Sequence, residues 1–275
     1  MEDKVETELD ALPLPYLPEE EAFLYPGNQK PDFANVLLVG TGALGCAAAR
    51  TLASAWRTLR PGLRLTLVDS DRVEASNLQR QVLYGRRDIG RLKVEAASQR
   101  LAEEFGVRPT ATPLHLDAAS GPALVGSHDI VIDGTDDPAT KFLLNRLCIE
   151  AGVPLVHGGV VRTRGQWMLI EPGLSACLHC IFPEAAPSGS EGCATLGILS
   201  PVAGVVGSMQ AIAALRRLFE PERARAGRLF IYDLAAIRVR HVDFAPSTEC
   251  FCGARVARTD DCDASGQSCL RRQAS

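Results

Sequence analysis

Short apolar blocks alternate with longer amphipathic stretches through the first half of this chain. Residues 36–39 form a continuous apolar run, the pattern of a strand buried on both faces of a parallel sheet, and 65–68 and 129–133 are further short strand blocks. Between them, the Ala-rich stretch 44–59 predicts a helix broken by Pro61-Gly62. Residues 93–105 place Val94, Ala97, Leu101 and Phe105 on one helical face and stop at Gly106. A weaker strand is predicted at 110–116, with Pro113 counting against it. Asp137-Pro138 opens a further helix to about residue 151, Asp as N-cap and Pro in the first turn. This alternation predicts a Rossmann-like, doubly wound α/β sheet.

Past Gly152 the pattern changes. Strands are predicted at 154–161 and 166–170, followed by an irregular loop at 172–199. Ser200-Pro201 opens a helix at 202–219, and two last strands follow at 229–232 and 237–242, the second alternating apolar and basic residues. Together these predict a C-terminal mixed-sheet extension. Residues 1–34, with Pro13, Pro15, Pro18, Pro26 and Pro31, read as a partly ordered arm. Residues 35–252 read as one domain, and 253–275 as a polar, disordered tail.

Composition narrows the function classes. A hydrophobic fraction of 46% supports a buried core, and a net charge of -4 with pI near 5.8 argues against a nucleic-acid binder. No apolar run reaches the length that spans a bilayer, and Met1-Glu2-Asp3-Lys4 does not resemble a signal peptide, so no membrane and a cytoplasmic location are expected. In such a reducing compartment the Cys-x-x-Cys and Cys-x-Cys pairs among nine cysteines read as metal ligands. Cys46 and Cys148 read as small core residues. Lysine is scarce: only Lys4, Lys30, Lys93 and Lys141 occur.

The chemistry concentrates between residues 36 and 93. Gly40-x-Gly42-x-x-Gly45 follows a strand and opens a helix, where close backbone approach and free N–H groups suit a phosphate. Asp69 ends the next strand, where a carboxylate can accept from ribose hydroxyls. An NAD oxidoreductase would show the same features. Asn77, Arg80, Gln81 and Lys93 favour a triphosphate instead, because phosphoryl and nucleotidyl transfer depends on positive charge around phosphate oxygens.

The runs Leu67-Val68-Asp69-Ser70-Asp71-Arg72-Val73 and Ser76-Asn77-Leu78-Gln79-Arg80-Gln81 resemble signatures of the MoeB/ThiF/HesA family within the ubiquitin-activating-enzyme superfamily. Asp133-Gly134-Thr135-Asp136-Asp137, Gly192-Cys193-Ala194-Thr195-Leu196-Gly197 and Gly204-x-x-Gly207-Ser208-x-Gln210-Ala211 are similar to the family in the same order. The resemblance implies adenylation, with ATP and Mg²⁺, of the C-terminal glycine of a ubiquitin-like sulfur carrier of ThiS or MoaD type, ending in Gly-Gly. It implies that Gly40, Gly42, Gly45 and Asp69 hold the nucleoside, that Asn77, Arg80 and Lys93 contact phosphates, and that Asp136 binds Mg²⁺.

It further implies a zinc-stapled crossover loop held by Cys177, Cys180, Cys250 and Cys252. The second pair is one residue shorter than the family's. Cys193 matches a cysteine that links covalently to the carrier in some members. A homodimer is implied, in which a partner arginine from an N-terminal helix reaches the phosphates. This chain has no arginine before Arg50, leaving Lys30 or a partner to supply that charge. A separate persulfide donor is expected for any sulfur. A non-catalytic nucleotide-binding scaffold and adenylation of a short peptide stay open.

Overall fold

The computed structural model describes residues 33–56, 62–182 and 198–252. Almost all of the arm at 1–34, the tail at 253–275 and Cys193 therefore lie outside the described residues. An eight-stranded sheet runs in the order β3-β2-β1-β4-β5-β6-β7-β8. Its strands are β1 (Phe33–Val39), β2 (Gly62–Val68), β3 (Thr110–Thr112), β4 (Ile130–Asp133), β5 (Leu155–Val161), β6 (Arg164–Ile170), β7 (Arg228–Asp233) and β8 (Arg238–Asp243). β1 to β5 pair in parallel and β5 to β8 antiparallel, so the predicted mixed sheet is present with its change of direction at β5.

The helices are α1 (Ala43–Trp56), α2 (Lys93–Phe105), α3 (Gly121–Gly126), α4 (Pro138–Ala151), α5 (Leu178–Ile181) and α6 (Ser200–Phe219). Successive residues of β1 point to opposite sides. Val36 and Leu38 join a core with α1 and α2, while Leu37 and Val39 join a second core under α4. Burial on both faces is why this strand reads as an unbroken apolar run. α2 has the predicted bounds and ends on Gly106 at φ 72, the left-handed position that suits glycine. Asp137 caps α4 as predicted, accepting from the Thr140 amide at 2.8 Å.

Three differences from the predicted elements have physical causes. β3 is cut to Thr110–Thr112 because Pro113 removes the next ladder donor. α3 was not predicted, since six residues at its site carry two glycines and a proline and offer no helical period. The third concerns α6, which is long and apolar enough to cross a membrane by length and composition. Here it is a core helix. Val202, Ala203 and Val206 are buried against the sheet, and Gly207 lies against α1, where a Cβ would collide with the Leu44 carbonyl oxygen.

Candidate functional site

β1 is flanked by β2 on one side and β4 on the other, so the chain winds outward from it in both directions. Ligand crevices in open α/β sheets form at this kind of switch point, beyond the carboxyl ends of the strands. A cleft of about 580 Å³ lies there, lined by Gly40, Gly42, Asp69, Arg80, Lys93 and Asp136 among others. Its floor is fixed by backbone contacts. Gly40 has φ 84 and donates its N–H to Val68 at 2.8 Å, and Gly134 donates to Val39 at 2.8 Å. A Cβ on Gly40 would come within 2.7 Å of the Gly134 carbonyl carbon, and one on Gly45 would run into the Gly40 carbonyl oxygen. The three glycines thus allow two strand-end turns and the start of α1 to touch.

Asp69 is tied into this turn. Its Oδ2 accepts from the Thr41 amide at 2.8 Å and from the Thr41 hydroxyl at 3.0 Å, and its Oδ1 accepts from the Asp71 amide at 2.9 Å. Lys93 is buried at the first position of α2, with Nζ 2.7 Å from Asp71 Oδ2 and its backbone N–H on the Asp71 carbonyl. Arg80 spends one guanidinium N–H on the Ser76 carbonyl at 3.0 Å and otherwise faces the cleft. Asp136 is exposed on the cleft wall and, among the described residues, has no hydrogen-bonded or ionic partner.

Two of the expected site residues lie beside the cleft instead of lining it. Gly45 sits beneath the turn, as described. Asn77 is buried; its Oδ1 accepts from the Glu74 amide at 3.2 Å and its carbonyl accepts from the amides of Arg80 and Gln81. Asn77 therefore shapes the turn that presents those two side chains. Gln81 lines the cleft with its Oε1 buried and unpartnered among the described residues.

A charged network that sequence reasoning missed reaches the cleft wall through Lys141 and His157. Asp133 is fully buried and accepts from Lys141 Nζ and His157 Nδ1, each at 3.0 Å. Lys141 also donates to the Gly158 carbonyl at 2.7 Å. Burial would raise the Asp133 pKa, but the Lys141 cation and the His157 hydrogen bond outweigh it and hold the carboxyl far below the usual carboxylate range. Burial drives the His157 pKa down, so this imidazole is neutral at pH 7. Gln166 Nε2 lies 3.4 Å from His157 Nε2, consistent with the proton on Nδ1. The available signal was lysine scarcity, since Lys141 is one of only four.

A second cluster lies on the α4 side of the sheet. Cys177 and Cys180, at the start of α5, meet Cys250 and Cys252 beyond β8, with all four sulfurs within 4.8 Å of one another. Sγ–Sγ separations are 4.0 Å for Cys177–Cys180, 3.6 Å for Cys177–Cys250 and 3.3 Å for Cys180–Cys252. Tetrahedral thiolates about 2.3 Å from a Zn²⁺ would stand about 3.8 Å apart, so the short Cys-x-Cys pair still fits such an ion. His179 turns away from the sulfurs, its Nδ1 3.0 Å from Asn145 Nδ2 and its ring edge-on to Phe142 and Phe251. Cys46 and Cys148 are buried core residues as predicted, and burial pushes the Cys46 thiol up to about 12.

The model of the ThiF family matches residues 20–253. The chain belongs to the ThiF family. The adenylyltransferase and sulfurtransferase Uba4 of Aspergillus fumigatus is 39% identical over 207 residues, which are 71% of this chain and 41% of Uba4. This ThiF-family chain thus spans about two fifths of the length of the Uba4 relatives it matches. The SAMP-activating enzyme E1 of Haloferax volcanii is 35% identical over 226 residues, 80% of each chain. Among solved structures, E. coli MccB with ATP superposes with a TM-score of 0.66 at 21% identity, covering 79% of this chain and 65% of MccB. That last likeness concerns the fold.

Proposed function

We propose that this ThiF-family chain is an adenylyltransferase that activates the C-terminal glycine of a ubiquitin-like sulfur carrier with ATP. The observation that carries the reading is the gathering of Arg80, Lys93 and Asp136 around one cleft with the Gly40–Gly42 turn. In this reading a carboxylate oxygen of the carrier attacks the α-phosphorus of ATP. The bond from that phosphorus to the bridging oxygen breaks, and pyrophosphate leaves with the electron pair. The carrier's carboxylate is already ionised at pH 7, so the step needs no general base.

Lys93 and Arg80 offset the charge that grows on the departing phosphates. The Lys93 cation is held by Asp71, which fixes its position at the cleft. Asp136 would hold Mg²⁺, a hard cation suited to carboxylate oxygen that shares charge with phosphates. Its carboxylate, unpartnered among the described residues, fits that role. The four cysteines would hold Zn²⁺ as a closed structural site joining α5 to the segment after β8. The names of the Uba4 and SAMP-activating relatives support the reading.

The test is ATP–pyrophosphate exchange with carriers ending in Gly-Gly. Lys93→Ala is expected to lower the exchange rate by about 10²–10³-fold, and Asp136→Ala to lower it and shift its Mg²⁺ dependence to higher concentration. Exchange at the wild-type rate in both variants would refute these roles. ATP binding without exchange for every carrier would favour a non-catalytic scaffold.

A further inference from the structure

The cleft does not close at β5. The register of the antiparallel half carries its face outward in rows that cross the sheet: Gly159 pairs with Gln166, Gln166 with Ile231, and Ile231 with Arg240. Gly159, Gln166, Ile231 and Arg240 all line the cleft, so the cleft wall and the outer face of this sheet are one surface. The next row is Val161, Arg164, Asp233 and Arg238. Every residue of β8 is exposed, so nothing among the described residues covers this face at its outer edge.

The charge on that face is one-sided. Asp233 is its one carboxylate in these two rows, and it is already engaged by Arg164 at 3.0 Å. Arg238 and Arg240 have no carboxylate partner among the described residues. The acid of β8, Asp243, lies on the opposite face, paired with Arg228. The surface leading out of the cleft is therefore cationic in a chain whose net charge is -4. Val161 and Val242 add exposed apolar area to the same side.

We propose that this face receives the C-terminal tail of the substrate protein, and that Arg238 and Arg240 select tails carrying an acidic residue shortly before the terminal glycine. The proposal rests on the adenylation reading above. Its spacing follows from the sheet. Gly159 and Arg240 are three strand spacings apart, about 14 Å at about 4.8 Å each. An extended chain covers that span in about four residues. The acidic side chain is thus expected about four or five residues from the end, with the glycines inside the cleft. Complementary charge at an exposed rim chiefly sets encounter and partner choice, and it weakens with salt.

Two fluorescein-labelled decapeptides ending in Gly-Gly, with Glu or Lys at the fifth residue from the end, provide the probe. Fluorescence anisotropy with the full chain at low salt should show the Glu peptide binding roughly tenfold tighter, and the preference should shrink at 0.3 M salt. The double variant Arg238→Glu/Arg240→Glu should reverse the preference. Circular dichroism of that variant checks that it is folded, and Arg238→Gln/Arg240→Gln should abolish the preference without reversing it. Equal affinity for the two peptides, or displacement of the Glu peptide by a short poly(U) RNA that binds tighter, would overturn the proposal. Charge-selective binding with no pyrophosphate exchange for any carrier would retire the adenylation reading and leave the surface standing. Exchange with no charge preference would do the opposite.

Discussion

The two halves of the sheet meet at β5 and are built on opposite rules. In the parallel half, strands are covered on both faces and the site residues are set by backbone contact: Gly40, Gly45 and Gly134 touch where side chains would collide. In the antiparallel half, β8 is exposed on both sides and its charged residues point outward. Chemistry at a phosphate needs donors fixed to fractions of an ångström, which close-packed backbone provides. Reading a second protein needs an open surface with a net sign of charge. In the proposed zinc site, Cys177, Cys180, Cys250 and Cys252 would compensate for the thin packing of the open half by tying its last segment to α5.

That contrast can be broken in stages. The largest effect is expected from Cys252→Ser, which removes one of the four sulfurs. Metal content should fall below one zinc per chain, with a loss of about 4 kcal/mol and a fall in Tm on the order of 12 °C. Hydrogen exchange should rise in β7 and β8 before β1 and β4. Uniform loss of protection would show that the two halves are not separately held.

Next is Gly45→Ala, whose methyl group collides with the Gly40 carbonyl oxygen. A loss of about 3 kcal/mol in urea denaturation is expected, with weaker ATP binding by calorimetry. A variant as stable as the wild type would mean that the turn and α1 can separate freely. The smallest effect is a pH slope. Because burial lowers the His157 pKa, the unfolded chain binds a proton below about pH 6.5 that the folded chain refuses. Stability should therefore fall as pH drops from about 6.5 to 5. His157→Gln should flatten that slope, while the Asp133 contribution, present above about pH 4 and lost below it, stays. Thermal melts across this pH range decide it.

Much of the parallel half was legible because its constraints are local. The apolar runs, the Asp137-Pro138 cap and the Lys93–Phe105 period each follow from neighbours in sequence. The cleft's glycines, Asp69, Arg80, Lys93 and Asp136 were legible as a motif set. The Asp133–Lys141–His157 network was not, because it joins a strand end, a helix and the next strand, and a lone histidine in an apolar strand carries no periodic signal. β8 was legible as a strand but not as an uncovered one. Alternation of basic and apolar residues reads as one buried face, whereas here both faces are open. Asn77 shows a third kind of limit, since a motif names a residue without saying whether it touches a ligand or holds the turn that does.

Gln210 has a consequence for which substitutions this chain can accept. β4 and β5 pair over only two residues before they diverge, and Gln210 Nε2 spans the divergence by donating to the Asp133 carbonyl at 2.7 Å and the Val156 carbonyl at 3.1 Å. A Cβ on Gly158 would occupy the space of that side-chain amide. Side-chain volume at the two positions is therefore coupled. A larger residue at 158 requires a shorter one at 210 and another donor for two strand carbonyls. Substitutions at this pair should travel together, although 52 positions separate them along the chain.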